Sequence, residues 1–512
     1  MTSPFDVVDG TFSVLVNAKG QHSLWPEVVA TPGGWSPVFG PTDRAACLTY
    51  VAENWTDQPD RHSSAATDLV PLSYNQEFLL SFDKGADSGA FGDRHTLVNG
   101  WRLTGPVDEA ALRAALDDVV ARHEVLRTTL EHDAGGGHQV VHAAGPVRLT
   151  VREQSDVDTV DRDRAAEEFL HEIDGEPIGV RELPHLRADL CRFDETDSVL
   201  VLSSHHTATD GWSMGVVLRD LAACYTARLA GRAADLPPAG QYQEFAAWQR
   251  SDDAAAEADR STAYWRDKLD GATTVAIPID HPAPEDTPDA YGAYRFTIDA
   301  RTTATMTKFA RANRSSPFMV LLAAYHVWLR ELTGVTDIVT PTFTVGRYGE
   351  RFADTVGPFF NMLPLRTDLT GCRHFRDVLE RSRATCGESY TRDIPFAAIV
   401  AQAPSVTEAF ADRGGAVAAF EMLQDPSTSE DIRLGETTCV AIRDRRLFQP
   451  ASSGIPDGAL WALDVLPSGA IAGSLKYNRN TFDDSTIAGI VEGFLRTLDA
   501  ALASPEQPLA PL

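Results

Sequence analysis

Cysteine is scarce and scattered in this chain. Its six residues, Cys47, Cys191, Cys224, Cys372, Cys386 and Cys439, form no CxxC pair and no cluster with histidine. That excludes a disulfide scaffold and a zinc knuckle, and predicts reduced, buried thiols with no metal. Also lacking are a basic, apolar leader at the amino terminus and any run of about 18 apolar residues. A cytoplasmic protein with no membrane partner is therefore expected. Positive charge is in deficit, with 45 Lys and Arg against 73 Asp and Glu and a formal net charge of −28. Such a surface repels phosphate backbones, so no nucleic-acid partner is expected. Neither a GxxxxGK[ST] loop nor a dinucleotide-binding glycine pattern occurs, and no bound cofactor is expected.

What remains is an ordinary globular composition, 43% hydrophobic and 23% charged over 512 residues, enough for two or three domains. The first 60 residues hold Trp25, Trp35 and Trp55, three of nine tryptophans. Strands are expected at 11–17, 21–26 and 35–39, with Asp43 capping a following helix. A polar linker follows at 61–68. Beyond it, apolar strand-like runs alternate with amphipathic helices, among them Asp108–Arg122, Pro317–Leu332 behind a Ser316 cap, and Asp484–Leu502. The fold class is α/β (α+β), divided at a proline- and acid-rich crossover over 277–288 into segments 69–276 and 277–512.

The most informative stretch is His205-His206-Thr207-Ala208-Thr209-Asp210-Gly211. It follows the apolar run Ser198–Ser204 and precedes helix-spaced Met214, Val217, Leu218 and Leu221, which places two imidazoles and a carboxylate on a strand-to-helix loop. Neighbouring residues leave a strand in opposed directions, so one histidine faces a cleft while the other packs inward. Histidine titrates close to neutrality, as a general base must.

These seven residues match the HHxxxDG signature of nonribosomal peptide synthetase condensation domains. Pro71-Leu72-Ser73-Tyr74-Asn75-Gln76, Arg122-His123-Glu124-Val125-Leu126-Arg127-Thr128, Tyr242–Trp248, Val356-Gly357-Pro358-Phe359-Phe360-Asn361 and Arg392–Phe396 resemble that family's other motifs in order. The resemblance implies two chloramphenicol-acetyltransferase-like lobes in a V, with the loop at their junction. It implies His206 as base, His205 as mainly structural, and Asp210 in an ion pair whose first-choice partner is Arg127 and second Arg347. Gly211 is expected to offer its amide to an oxyanion, Ser213 to cap the helix or meet substrate, and Asn361 to face the cleft and orient the acyl group. No carrier attachment motif or adenylation signature is present, so substrates are expected on the phosphopantetheine of separate carrier proteins. A free-standing amide-forming enzyme is expected, with an ester-forming variant or a non-catalytic recruitment module as alternatives. Residues 1–60 resemble MbtH-like proteins through Ser23-Leu24-Trp25-Pro26, Gly34-Trp35, Arg44 and Cys47-Leu48. That implies binding of an adenylation domain through Ser23, Leu24, Trp25, Pro26 and Trp35.

Overall fold

The computed structural model describes residues 11–17, 22–27, 31, 35–44, 46–47, 49–50, 70–80, 95–133, 136–282, 290–347, 350–411, 414–423, 432–453 and 458–510. They fall into two compact units, Met1–Asp68 and Leu69–Leu512. The linker at 61–68, Trp55 and the crossover residues 283–288 lie outside the described residues.

In the first unit β1 (Thr11–Asn17), β2 (His22–Pro26) and β3 (Trp35–Asp43) form an antiparallel sheet in the order β2-β1-β3. Phe12 and Val14 alternate onto one face and are covered by Cys47, Phe39 and Tyr50. Asp43 Oδ1 accepts the Ala46 amide at 2.9 Å, which starts the helical turn carrying Cys47.

The second unit opens with a small sheet, β4 (Val70–Pro71), β6 (Thr128–Asp133) and β7 (Gly136–Val141), beside two larger ones. The six-stranded sheet contains β5 (Thr96–Thr104), β8 (Arg148–Glu153), β9 (Arg187–Asp194) and β10 (Asp197–His205). Along β10, Leu200 and Leu202 pack beneath the helices Glu109–Arg122 and Gly211–Leu229, while Val199 and Val201 meet Phe169, Leu170 and Ile173 of the helix Arg162–Asp174. Burial on both faces explains why the sequence there is an unbroken apolar run.

The five-stranded sheet contains β11 (Ala276–Pro278), β12 (Tyr291–Ile298), β15 (Gly415–Met422), β18 (Ala459–Val465) and β19 (Ile471–Asn478). β13 (Asp337–Thr344) and β14 (Asn361–Asp368) pair beside it. One face carries the aligned row Phe420, Trp461 and Leu475, which packs against Tyr325 and Phe494 of the helices Pro317–Thr333 and Asp484–Ala503. The next row, on the opposite face, reads Glu421, Ala462, Ser474 and Arg295.

The lobes are not contiguous in sequence. β16 (Ile432–Leu434) and β17 (Thr437–Ala441) come from the second half of the chain, yet β17 pairs with β5 and extends the first-half sheet. A division at 276/277 therefore misplaces them. Sequence cues find a turn, but not which sheet edge a strand will join.

Candidate active site

The strand β10 ends at His205, and Asp210 begins the helix Gly211–Leu229 as its N-cap, accepting the Ser213 amide on Oδ1 at 2.7 Å. The four residues 206–209 therefore form a tight loop between two rigid elements. His206 Nδ1 lies 2.7 Å from the Thr209 carbonyl oxygen. A carbonyl only accepts, so Nδ1 carries the proton and Nε2 keeps its lone pair. The ring stacks on His95 at 4.6 Å and leans on Phe360 at 4.6 Å. Burial lowers its pKa from the ordinary value, opposed by the Thr209 bond and the Asp210 charge, and the neutral base form is favoured. His205 is fully buried, and its Nδ1 accepts the Thr207 amide at 3.2 Å and lies 2.8 Å from Thr207 Oγ1. Its geometry is that of a scaffold residue.

Asp210 is a junction between the two halves of the unit. Besides the Ser213 amide it accepts the Phe359 amide at 2.9 Å on Oδ2 and Arg347 Nη2 at 3.2 Å on Oδ1. The ion pair is buried on both sides, with side chains 3% and 6% exposed. Arg347 also donates to the carbonyls of Phe352 and Thr355, both at 2.7 Å, and lies over the Phe359 ring at 4.1 Å. The guanidinium reaches this depth because Gly346 turns with φ +57, where a Cβ would sit 1.7 Å from the Phe359 carbonyl oxygen.

Arg127, the first-choice partner, does not reach Asp210. It donates to the His142 carbonyl and to Glu124 Oε1 at 3.4 Å, bracing the start of β6. Ser213 neither caps nor faces open space. Its buried hydroxyl donates to the Gly357 carbonyl at 2.8 Å and accepts the Gly357 amide at 3.0 Å and Arg347 Nη2 at 2.8 Å. Asn361 is likewise occupied. Its Nδ2 donates to Asp393 Oδ1 at 2.6 Å and the Ile394 carbonyl at 2.7 Å, and its Oδ1 accepts the Phe396 amide at 2.9 Å. With its amide committed to that loop, it is not the acyl-orienting group expected. At Gly211 an added Cβ would meet nothing within 4 Å, so the space before the helix is open.

A family model described as "Condensation domain" matches residues 70–512. The chain belongs to the condensation-domain family. A second model, "MbtH-like protein", matches residues 1–66, so this family member carries an N-terminal MbtH-like domain. A linear gramicidin synthase protein of Brevibacillus parabrevis is 32% identical over 92% of this chain, which spans only 9% of that protein's length. Among solved structures, the SgcC5 protein of Streptomyces globisporus, in complex with (R)-(-)-1-(2-naphthyl)-1,2-ethanediol and sucrose, is 43% identical with a TM-score of 0.82, covering 86% of this chain and 100% of that one. The X-domain from teicoplanin biosynthesis is 26% identical with a TM-score of 0.69, over 88% and 99%.

The other motifs of this condensation domain serve as interlocks around the HHxxxDG loop. Tyr242 OH donates to the Pro358 carbonyl at 2.9 Å and lies 2.7 Å from Ser73 Oγ. Gly357 permits this, since a Cβ there would fall 1.9 Å from the Tyr242 ring. Sequence reasoning missed His95 and Thr209 as supports of His206 and Tyr242 as a support of the Pro358–Phe359 segment, and only the motif positions of the last two hinted at them. In the MbtH-like domain the register places Ser23, Trp25 and Trp35 opposite Leu15, Ser13 and Asn17, on one face of the sheet. Leu24 and Pro26 stand opposite Val14 and Phe12, on the other. Trp25 and Trp35 are both half-buried. The side chains of Ser23, Leu24 and Pro26 lie outside the described residues. Among the described residues no helix is long and apolar enough to cross a membrane.

Proposed function

We propose that the condensation domain transfers an acyl group from a phosphopantetheinyl thioester, borne by a carrier protein, to a nucleophile positioned at His206. The observation that carries this reading is the His206 tautomer. With Nδ1 held by the Thr209 carbonyl, Nε2 is a fixed, neutral proton acceptor at the mouth of the loop. The acceptor's O–H or N–H attacks the thioester carbonyl as Nε2 takes its proton. The oxyanion forms near the amino-terminal end of the helix Gly211–Leu229, where backbone N–H groups and the helix dipole favour negative charge. The C–S bond then breaks, and the thiolate takes the proton from the imidazolium.

Of the two acceptors, a hydroxyl is favoured by the aryl-substituted 1,2-diol held by the SgcC5 protein. Ester formation is thus the leading reading and amide formation the second, supported by the gramicidin synthase relative. The MbtH-like domain is proposed to bind an adenylation domain through the face bearing Ser23, Trp25 and Trp35. The deciding experiment offers the full chain an aminoacyl-loaded carrier protein with either a diol or an amine, and follows product by mass spectrometry. Loss of about 100-fold or more in His206→Ala, with the fold retained, is expected from removal of a general base. Equal product from both proteins removes His206 from the chemistry. No product from the wild type with either acceptor favours recruitment instead.

A further inference from the structure

The His206 ring stands between two others, one from each half of the second unit. Its backbone amide donates to the His95 carbonyl at 3.0 Å, one step past the pairing of His205 with Thr96 on β10 and β5. Residues opposed across an antiparallel pair put their side chains on one face, and the two imidazoles stack at 4.6 Å with 17° between their planes. His95 is buried, 6% exposed. The second ring is Phe360, its centroid 4.6 Å from that of His206 and its plane tilted by 52°. Three successive residues fix it there. The Phe359 amide is held by Asp210 at 2.9 Å, the Phe360 carbonyl accepts from Asn75 Nδ2, and the Asn361 side chain is tied to Asp393, Ile394 and Phe396. From β13 the Phe343 ring meets Phe360 nearly at right angles, at 6.0 Å.

Taking the acceptor's proton turns His206 into an imidazolium in surroundings that disfavour charge. Burial pushes its pKa down; the Thr209 bond and the Asp210 charge act against this, and Lys476 adds to it. The nearby titratable rings are His95 and His205, and His205 lies 6.0 Å from His185. The Asp210 oxygens are spent on the Ser213 and Phe359 amides and on Arg347. Nδ1–H meets the Thr209 carbonyl, a neutral oxygen, rather than a carboxylate. The faces of the imidazole are where further stabilisation can come from. An aromatic ring within about 6 Å of a cation attracts it, more strongly where water is excluded. A flat neighbour also fixes the plane of the imidazole, and with it the direction of Nε2.

We propose that His95 and Phe360 are positioning residues that stabilise the imidazolium of His206 as it forms, easing proton removal from the acceptor without binding either substrate. This rests on the acyl-transfer reading above. The proton passes to Nε2 and from there to the thiolate, and both rings end unchanged. Removing either ring face makes the imidazolium less stable and the base weaker, and a weaker base takes the proton more slowly. The Michaelis complex holds His206 neutral, so substrate binding is spared.

The test compares the full wild-type chain with Phe360→Leu, Phe360→Tyr, His95→Leu, His95→Phe and His206→Ala. Leucine keeps bulk and removes the π face, which tyrosine and phenylalanine restore. Acceptor kcat and KM are measured with an aminoacyl-loaded carrier protein. The His206 pKa is followed without substrate by NMR of isotope-labelled histidine rings, its signal assigned by its loss in His206→Ala. The expected result in both leucine variants is a kcat lower by about threefold or more at unchanged KM, with the His206 pKa and the acid limb lower by about half a unit. Phe360→Tyr and His95→Phe should return to wild-type values. Unchanged kcat and pKa in the leucine variants overturn the inference. So does a fall in kcat with the pKa unmoved or raised, or one that the aromatic variants leave uncorrected, since packing then accounts for it. Melting temperatures establish folding, and Phe360, only half-buried, carries the test if a His95 variant unfolds. Product undiminished in His206→Ala sinks the catalytic reading, while the titration judges the two rings separately.

Discussion

Replacing Asp210 by alanine tests whether this carboxylate is chemical or architectural. The structure gives it three bonds, to the amides of Ser213 and Phe359 and to Arg347, and no bond to His206. Removing one partner of a buried ion pair costs about 3–5 kcal/mol, and loss of an N-cap about 1 kcal/mol. The two effects share one side chain and do not simply add. A loss of about 4 kcal/mol is therefore expected in urea unfolding, with faster amide exchange in the first turn of the helix Gly211–Leu229. Arg347→Met should cost less at Asp210, which keeps two backbone donors. The double variant Asp210→Ala/Arg347→Met should be more stable than the summed single losses imply, because neither charge is stranded. Acyl transfer should fall in Asp210→Ala through misplacement of His206. A variant within about 1 kcal/mol of wild type that nevertheless lacks transfer would refute this reasoning and put the carboxylate in the chemistry.

Three further outcomes follow from the same geometry. Because burial lowers the His206 pKa, its neutral form persists to lower pH, and the acid limb of kcat/KM should have its midpoint below about 6.5; a midpoint above that value contradicts the assignment. The buried imidazoles of His171, His185 and His326 are held down to about 3, 4 and 3. Since their folded pKa values lie below the unfolded one, the unfolded chain binds more protons, and stability should fall as pH drops from about 6.5 toward 4. Denaturant midpoints that stay level across that window would contradict this. Trp35→Ala should weaken capture of an adenylation enzyme by about 30-fold or more if this aromatic is a binding anchor, while acyl transfer stays unchanged. Unaltered co-purification assigns the tryptophan to packing.

Local signals were legible in the sequence and long-range pairings were not. The strand before His205, the Ser316 and Asp43 caps and the three amino-terminal strands all follow from alternation, helical spacing and side-chain capping within a few residues. The family motifs marked His206 and its loop. Arg347 lies 137 positions from Asp210, and no local pattern distinguishes it from Arg127 as the partner. Ser213 and Asn361 look available in the sequence because a polar side chain carries no record of its own partners. Only packing shows that the hydroxyl of one and the amide of the other are already committed.

The β16–β17 hairpin also governs the order in which this molecule can be made. Until the ribosome has passed residue 441, β5 has no neighbour on its outer side, and an unpaired strand edge invites pairing with another chain. The contact joins residues more than 300 positions apart, as does the bond from Thr437 Oγ1 to the Pro106 carbonyl at 2.6 Å. Closing so long a loop is slow relative to local folding. Fragments ended at the apparent lobe boundary would leave that edge bare, and the first half is expected to need the second before it is safe from aggregation.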